Sequence, residues 1–162
     1  MSDVIKVGMA DLNVATPPHS IRTSGLGSCV GVIIYDDRTG ISGMAHVMLP
    51  SSELSSQQVL NIAKYADTAI PDLLRRLESK GVQKYNLKAK IAGGAQMFSF
   101  STGNDLMRIG PRNVEAVKTI LNNLQIPILA EDVGGKSGRT IEFSTLSKML
   151  HIRTVNQGTK EI

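Results

Sequence analysis

The sequence predicts an α+β fold built on mixed β-sheets. Strand-dense stretches occupy both ends of the chain, and only two segments carry helical spacing. One strand lies between those helices, so strand and helix do not alternate as they would in a doubly wound parallel sheet. At 162 residues, 41% hydrophobic and 20% charged, the chain suits one compact domain with a substantial core. No repeat, low-complexity tract or linker divides residues 1–162.

Residues 4–16 alternate loosely and read as one or two short strands. Pro17-Pro18-His19-Ser20 is a loop, with His19 expected on the surface, and residues 21–23 re-enter order. Val30, Val32, Ile33 and Ile34 are β-branched, as are Ile41 and Val47, while Asp36-Asp37-Arg38-Thr39-Gly40 are turn-formers. This is a hairpin. A four-residue loop pairing Tyr35 with Gly40 sets Cys29 opposite His46, Gly31 opposite Met44 and Ile33 opposite Ser42.

After Pro50, Ser55 and Gln58 make a capping box for a long helix. Val59, Ile62, Ala63, Ala66, Ile70, Leu73, Leu74 and Leu77 supply its apolar stripe. Pro71 should kink or split it near Asp67, whose carbonyl loses its partner, and Gly81 stops it. Residues 87–92 read as a buried strand entering Gly93-Gly94, where backbone approaches another surface closely; the Lys and Ser/Thr of a phosphate-binding loop are missing. Phe98 and Phe100 then share a face, as core or as a partner-binding patch. Val114, Val117, Leu121 and Leu124 describe a second helix, with Asn113 as N-cap and an end before Pro127. Strands follow over 126–133, 139–143 and 148–155. His151 lies on the polar face of the last strand, and the final residues look frayed.

The chemistry concentrates at residues 22–50. This stretch holds the only cysteine, Cys29, and His46, one of three histidines. Directly opposed residues share a face with Cβ atoms roughly 4.5–5.5 Å apart, close enough for imidazole to reach thiol. A neighbouring imidazole is the usual device for producing a thiolate near neutral pH. Before the cysteine, Ser24-Gly25-Leu26-Gly27-Ser28 can turn sharply, letting amide N–H groups of Gly27, Ser28 and Cys29 face an oxyanion. The alternative is that Cys29 is a small buried hydrophobe and His46 a satisfied core histidine.

Thr23-Ser24-Gly25-Leu26-Gly27-Ser28-Cys29-Val30, followed by Ala45-His46-Val47-Met48-Leu49-Pro50, resembles the chemoreceptor glutamine deamidase family, CheD. Ala92-Gly93-Gly94-Ala95, Ile109-Gly110-Pro111-Arg112-Asn113, and Asp132-Val133-Gly134-Gly135 through Gly138-Arg139 match the same pattern in the same order. The resemblance spans nearly the whole chain, with no departure at the catalytic positions. It implies layered sheets with the helices outside, similar to the catalytic domain of the cytotoxic necrotizing factor toxins. It also implies a protein-glutamine deamidase acting on the cytoplasmic segments of chemotaxis receptors, with the CheC phosphatase as partner. Cys29 is then the nucleophile, His46 the base and Thr23 its orienting group. Phe98 and Phe100 become the surface met by CheC or a receptor helix. Such amide hydrolysis calls for no cofactor and no metal.

Composition narrows the remaining classes. One cysteine permits no internal disulfide and fits a reducing compartment. No apolar run approaches the ~20 residues of a membrane span, and the N-terminal residues lack a signal peptide's apolar stretch. A cytoplasmic protein is expected. The net charge of +4 is scattered; Lys84, Lys88 and Lys90, and Lys136 with Arg139, read as solvated surface without a nucleic-acid motif. Two other classes stay open: a different Cys-His acyl-transfer enzyme, such as a transglutaminase-like crosslinker, and a non-catalytic binding module.

Overall fold

Strand β4 (Val30–Asp36) is buried at every residue, the mark of a strand covered on both faces. The computed structural model, which describes residues 3–56, 58–96 and 108–162, shows what covers it. β4 is the middle strand of a five-stranded sheet completed by β2 (Leu12–Ala15), β5 (Ser42–Val47), β6 (Leu87–Gly93) and β7 (Ile128–Val133), in the order β2-β5-β4-β6-β7. A second sheet orders β1 (Val4–Lys6), β3 (Ser20–Leu26), β8 (Arg139–Ser144), β9 (Leu150–Thr154) and β10 (Gly158–Glu161) as β1-β3-β8-β9-β10. Both sheets are mixed, with β6–β7 and β1–β3 pairing in parallel.

The period of two along β4 divides the core. Val30, Val32 and Ile34, with Val47 and Ile91, pack on helices α1 (Ala66–Glu78) and α2 (Ile109–Asn123) through Ile70, Leu73, Leu77, Val117 and Leu121. Ile33 and Tyr35, with Met44, pack instead on Ile21, Ile141, Phe143 and Ile152 of the second sheet. The layers are therefore sheet, sheet, helices: the predicted α+β class with both helices on one outer face. Glycine permits the closest approaches. A Cβ at Gly31 would stand 2.4 Å from Ile141 Cδ1, and one at Gly43 would stand 2.5 Å from Leu73 Cδ1. Among the described residues, no helix is long and apolar enough to cross a membrane.

Several elements depart from what local spacing predicts. The first helix begins at Ala66, not at Ser55. Residues Ser52–Leu54 and Ile62–Lys64 form separate 3-10 turns, leaving Val59 85% and Ile62 45% exposed. The Lys64 carbonyl is taken by the amides of Met48 and Leu49, at 2.9 and 3.1 Å, so it cannot serve a helical turn. Asp67 accepts from the Ser52 amide and hydroxyl, both at 2.8 Å, and holds the earlier segment across the helix start. Pro71 lies inside an otherwise continuous helix. At its end Gly81, φ +86°, donates to the Glu78 carbonyl while Val82 donates to Leu77, the expected glycine stop.

The second helix starts at Ile109, four residues ahead of the expected cap. Pro111 is accommodated because first-turn amides have no intrahelical acceptor to lose. The end of the chain is ordered: β10 pairs with β9, and Leu150 and Ile162 exchange backbone hydrogen bonds at 2.9 Å. Lys90 is not solvated. It is 6% exposed, and its Nζ donates to the carbonyls of Lys148 and Ile162 at 2.7 and 3.0 Å. Arg139 is also buried, its Nε donating to Asp132 at 3.0 Å while Lys160 reaches the other carboxylate oxygen at 2.7 Å. His19 is half-buried, with Nδ1 accepting from the Asp3 amide at 2.9 Å.

Candidate functional site

The hairpin that carries the cysteine and histidine closes two residues later than the four-residue loop predicts. Tyr35 pairs with Ser42, and Gly31 stands opposite His46. Asp36 makes the difference. Its carboxylate accepts from the amides of Arg38 and Thr39 at 2.8 and 3.3 Å, folding the turn beneath itself, and its carbonyl accepts from Gly40 at 2.8 Å. A shift of two keeps the parity of the sheet, so every side chain stays on its predicted face. Cys29, one residue ahead of β4, therefore lies diagonal to His46 rather than opposite it. Gly31, across from His46, puts no side chain between them.

Both groups face the second sheet. His46 is fully buried and Cys29 is 7% exposed. Thr23, on β3 of the opposing sheet, is buried too, and its Oγ1 lies 2.7 Å from His46 Nδ1. The same hydroxyl donates its proton to the Val7 carbonyl at 2.8 Å. A hydroxyl has one proton to give, so Thr23 accepts from an Nδ1–H. That bond leaves the lone pair on Nε2, which is buried and has no hydrogen-bond partner among the described residues. The imidazole is held in one tautomer by a neutral acceptor from the other layer.

The backbone around Cys29 is fastened from two directions. Gly94 donates to the Cys29 carbonyl and Ala95 to the Gly27 carbonyl, each at 2.8 Å. A Cβ at Gly93 would come within 2.3 Å of the Cys29 carbonyl oxygen, and φ is +111° there, so the glycine pair meets a close backbone approach as its composition predicts. The surface approached is the Cys29 segment itself. From α2, Asn113 Nδ2 donates to the carbonyls of Ser28 and Met48, both at 2.9 Å. The Gly27 amide donates to Gly25 at 3.1 Å within the turn. Among the described residues, the amides of Ser28 and Cys29 donate to no backbone carbonyl. The Cys29 amide also acts on its own sulfur, where it favours the thiolate. Phe98 and Phe100 lie outside the described residues.

Sequence reasoning missed Asn113, which it places at a helix cap. The available signal was its company: a polar side chain inside Ile109-Gly110-Pro111-Arg112-Asn113, where helix propensity favours other residues.

Burial sets the protonation of the pair. Desolvation raises the Cys29 pKa above its ordinary 9.0, against a smaller lowering by the residue's own backbone amide. Desolvation also lowers the His46 pKa below its ordinary 6.5. A thiolate already formed at neutral pH is what Cys-His pairing alone predicts; burial moves both groups the other way, toward neutral thiol and neutral imidazole. The rate of Cys29 alkylation by iodoacetamide is therefore expected to be low at neutral pH and to climb above pH 9.0. A rate that is flat and high down to mildly acidic pH would mark a preformed ion pair instead. The stability that neutral His46 contributes is fully present above its unfolded value of 6.5. It is lost as pH falls from there through the lower folded value.

The family model for CheD, described as CheD chemotactic sensory transduction, matches residues 48–154. A protein of Halalkalibacterium halodurans named chemoreceptor glutamine deamidase CheD is 67% identical over 162 residues, covering all of both chains. A Bacillus subtilis protein of the same name is 58% identical over 159 residues, covering 98% of this chain and 96% of its own. A probable chemoreceptor glutamine deamidase CheD of Geobacillus kaustophilus is 57% identical, covering 99% and 98% of the two chains.

Proposed function

The chain belongs to the CheD family, and on that premise we propose that it hydrolyses glutamine side-chain amides in chemotaxis receptors, leaving glutamate and releasing ammonia. The observation that carries a Cys-His mechanism is the Thr23–His46 bond, which leaves Nε2, without a partner among the described residues, as a base on the same face as the only cysteine. Nε2 takes the thiol proton as Sγ attacks the carboxamide carbon, so thiolate forms only as the new C–S bond does. The carbonyl oxygen, now negative, meets the amides of Ser28 and Cys29. Thr23 keeps the imidazolium in register through Nδ1–H.

The imidazolium then returns the proton to the departing nitrogen, the C–N bond breaks, and ammonia leaves a thioester on Cys29. Water, deprotonated by Nε2, splits the thioester, and the thiol is regenerated beside a glutamate carboxylate. The balance is one amide and one water to one carboxylate and one ammonium. The substrate segments and the enzyme share the cytoplasm on this reading, and CheC, as partner, competes with receptor for the enzyme.

Incubation with receptor cytoplasmic fragments tests the proposal. Mass spectrometry should find specific glutamines converted to glutamate, with ammonia released in equal amount. An added primary amine should not be incorporated; its incorporation would instead establish a crosslinking transferase. Unchanged glutamines after prolonged incubation would refute deamidase activity.

A further inference from the structure

Asn113 is fully buried, yet it is neither a helix cap nor a group that reaches the reacting atoms. Its NH2 group spends both protons on backbone carbonyls at 2.9 Å, those of Ser28 and Met48. The first belongs to the peptide immediately preceding the nucleophile. The second lies two residues past the base. One side chain from the helical layer thus ties the cysteine segment to the end of the histidine's strand.

The consequence follows from the geometry of the peptide bond. In a planar trans peptide, C=O and N–H are rigidly antiparallel, so fixing the Ser28 carbonyl fixes the direction of the Cys29 N–H. A hydrogen bond accepted by that carbonyl also polarises the peptide and strengthens the N–H as a donor. We infer that Asn113 is a positioning residue for the oxyanion site, aiming the Cys29 amide at the substrate oxygen through the Ser28–Cys29 peptide. The inference rests on the deamidase reading above.

The residue's own chemistry supports this role over simple packing. Its Oδ1 is buried without a partner among the described residues, which costs stability, and asparagine is a poor helix former. An apolar side chain would avoid both costs. What it could not supply is two donors diverging from one atom. Aspartate, of nearly the same shape, would set a carboxylate against two carbonyl oxygens. Serine could satisfy only one of them.

The experiment exploits the difference between two reactions of the same thiol. Deamidation builds an oxyanion, whereas alkylation by iodoacetamide displaces iodide at a tetrahedral carbon and builds none. Asn113→Ala is expected to lower kcat for receptor-fragment deamidation by about 10- to 100-fold with KM nearly unchanged. Its alkylation rate and alkylation pH profile should match those of the parent. Asn113→Ser, with one donor, should fall between, and it carries the test by the same ratio if the alanine variant does not melt cooperatively. A parallel fall in deamidation and alkylation would overturn the inference, because Asn113 would then only hold the thiol in place. Unchanged kcat in a folded variant would overturn it equally. Failure of the deamidase reading itself would appear in the parent protein, as receptor fragments left unconverted.

Discussion

Cys29→Ala is expected to abolish ammonia release from receptor fragments, lowering turnover by at least about a thousandfold. His46→Ala should do the same, and the double variant should be no worse than either single one, because nucleophile and base act as a unit. The fold should survive the first substitution. Cys29 is a small side chain at the edge of the inter-sheet core, and its loss should cost about 1 kcal/mol. His46→Ala should cost more, since it empties a fully buried position and strips Thr23 of its donor. Ammonia assays alongside thermal melts separate the two effects. Wild-type turnover in a Cys29→Ala protein would remove the cysteine from the mechanism.

Gly93→Ala should be nearly as damaging to activity although it touches no reacting atom. Its new Cβ would lie 2.3 Å from the Cys29 carbonyl oxygen and 3.3 Å from Val30 Cα, and both are backbone atoms that no rotamer change can move aside. At φ +111° an L-residue is strained even where space exists. The strands must separate, or the Cys29 segment must shift and lose its bond from Gly94. The expected cost is about 2–4 kcal/mol, with a melting temperature lower by roughly 5–15 °C and deamidation largely lost. Gly8→Ala is the control: an exposed glycine with nothing within 4 Å of its added Cβ, it should change neither quantity appreciably. Equal melting temperatures for the two variants would show that the backbone approach at Cys29 carries little energy.

Whatever depends on neighbours along the chain is legible before any tertiary contact is known. Alternation and β-branching marked β4 and β5 as strands, and their parity placed Cys29 and His46 on one face even though the hairpin closes two residues later than expected. Glycine at 81 and at 93–94 announced a helix stop and a close approach, because only glycine accepts those conformations and contacts cheaply. The apolar stripe of α1 was legible from Ala66 onward. Tertiary structure decided the rest. Val59 and Ile62 fit the helical period, but the Lys64 carbonyl is claimed by β5's extension, and no local rule reports a hydrogen bond made across fifteen residues or more. Lys90 and Arg139 carry surface chemistry in sequence; Lys90 is buried where the carbonyls of Lys148 and Ile162, 58 and 72 residues away, meet it, and Arg139 where the Asp132 carboxylate pairs with it across a turn. Family resemblance alone points to Thr23; its bond to His46 exists because two sheets stack, bringing together residues of different layers. Asn113 is the fullest case. Its helix period was readable, but its two acceptors lie 85 and 65 residues away, and propensity and periodicity describe only a residue's own turn.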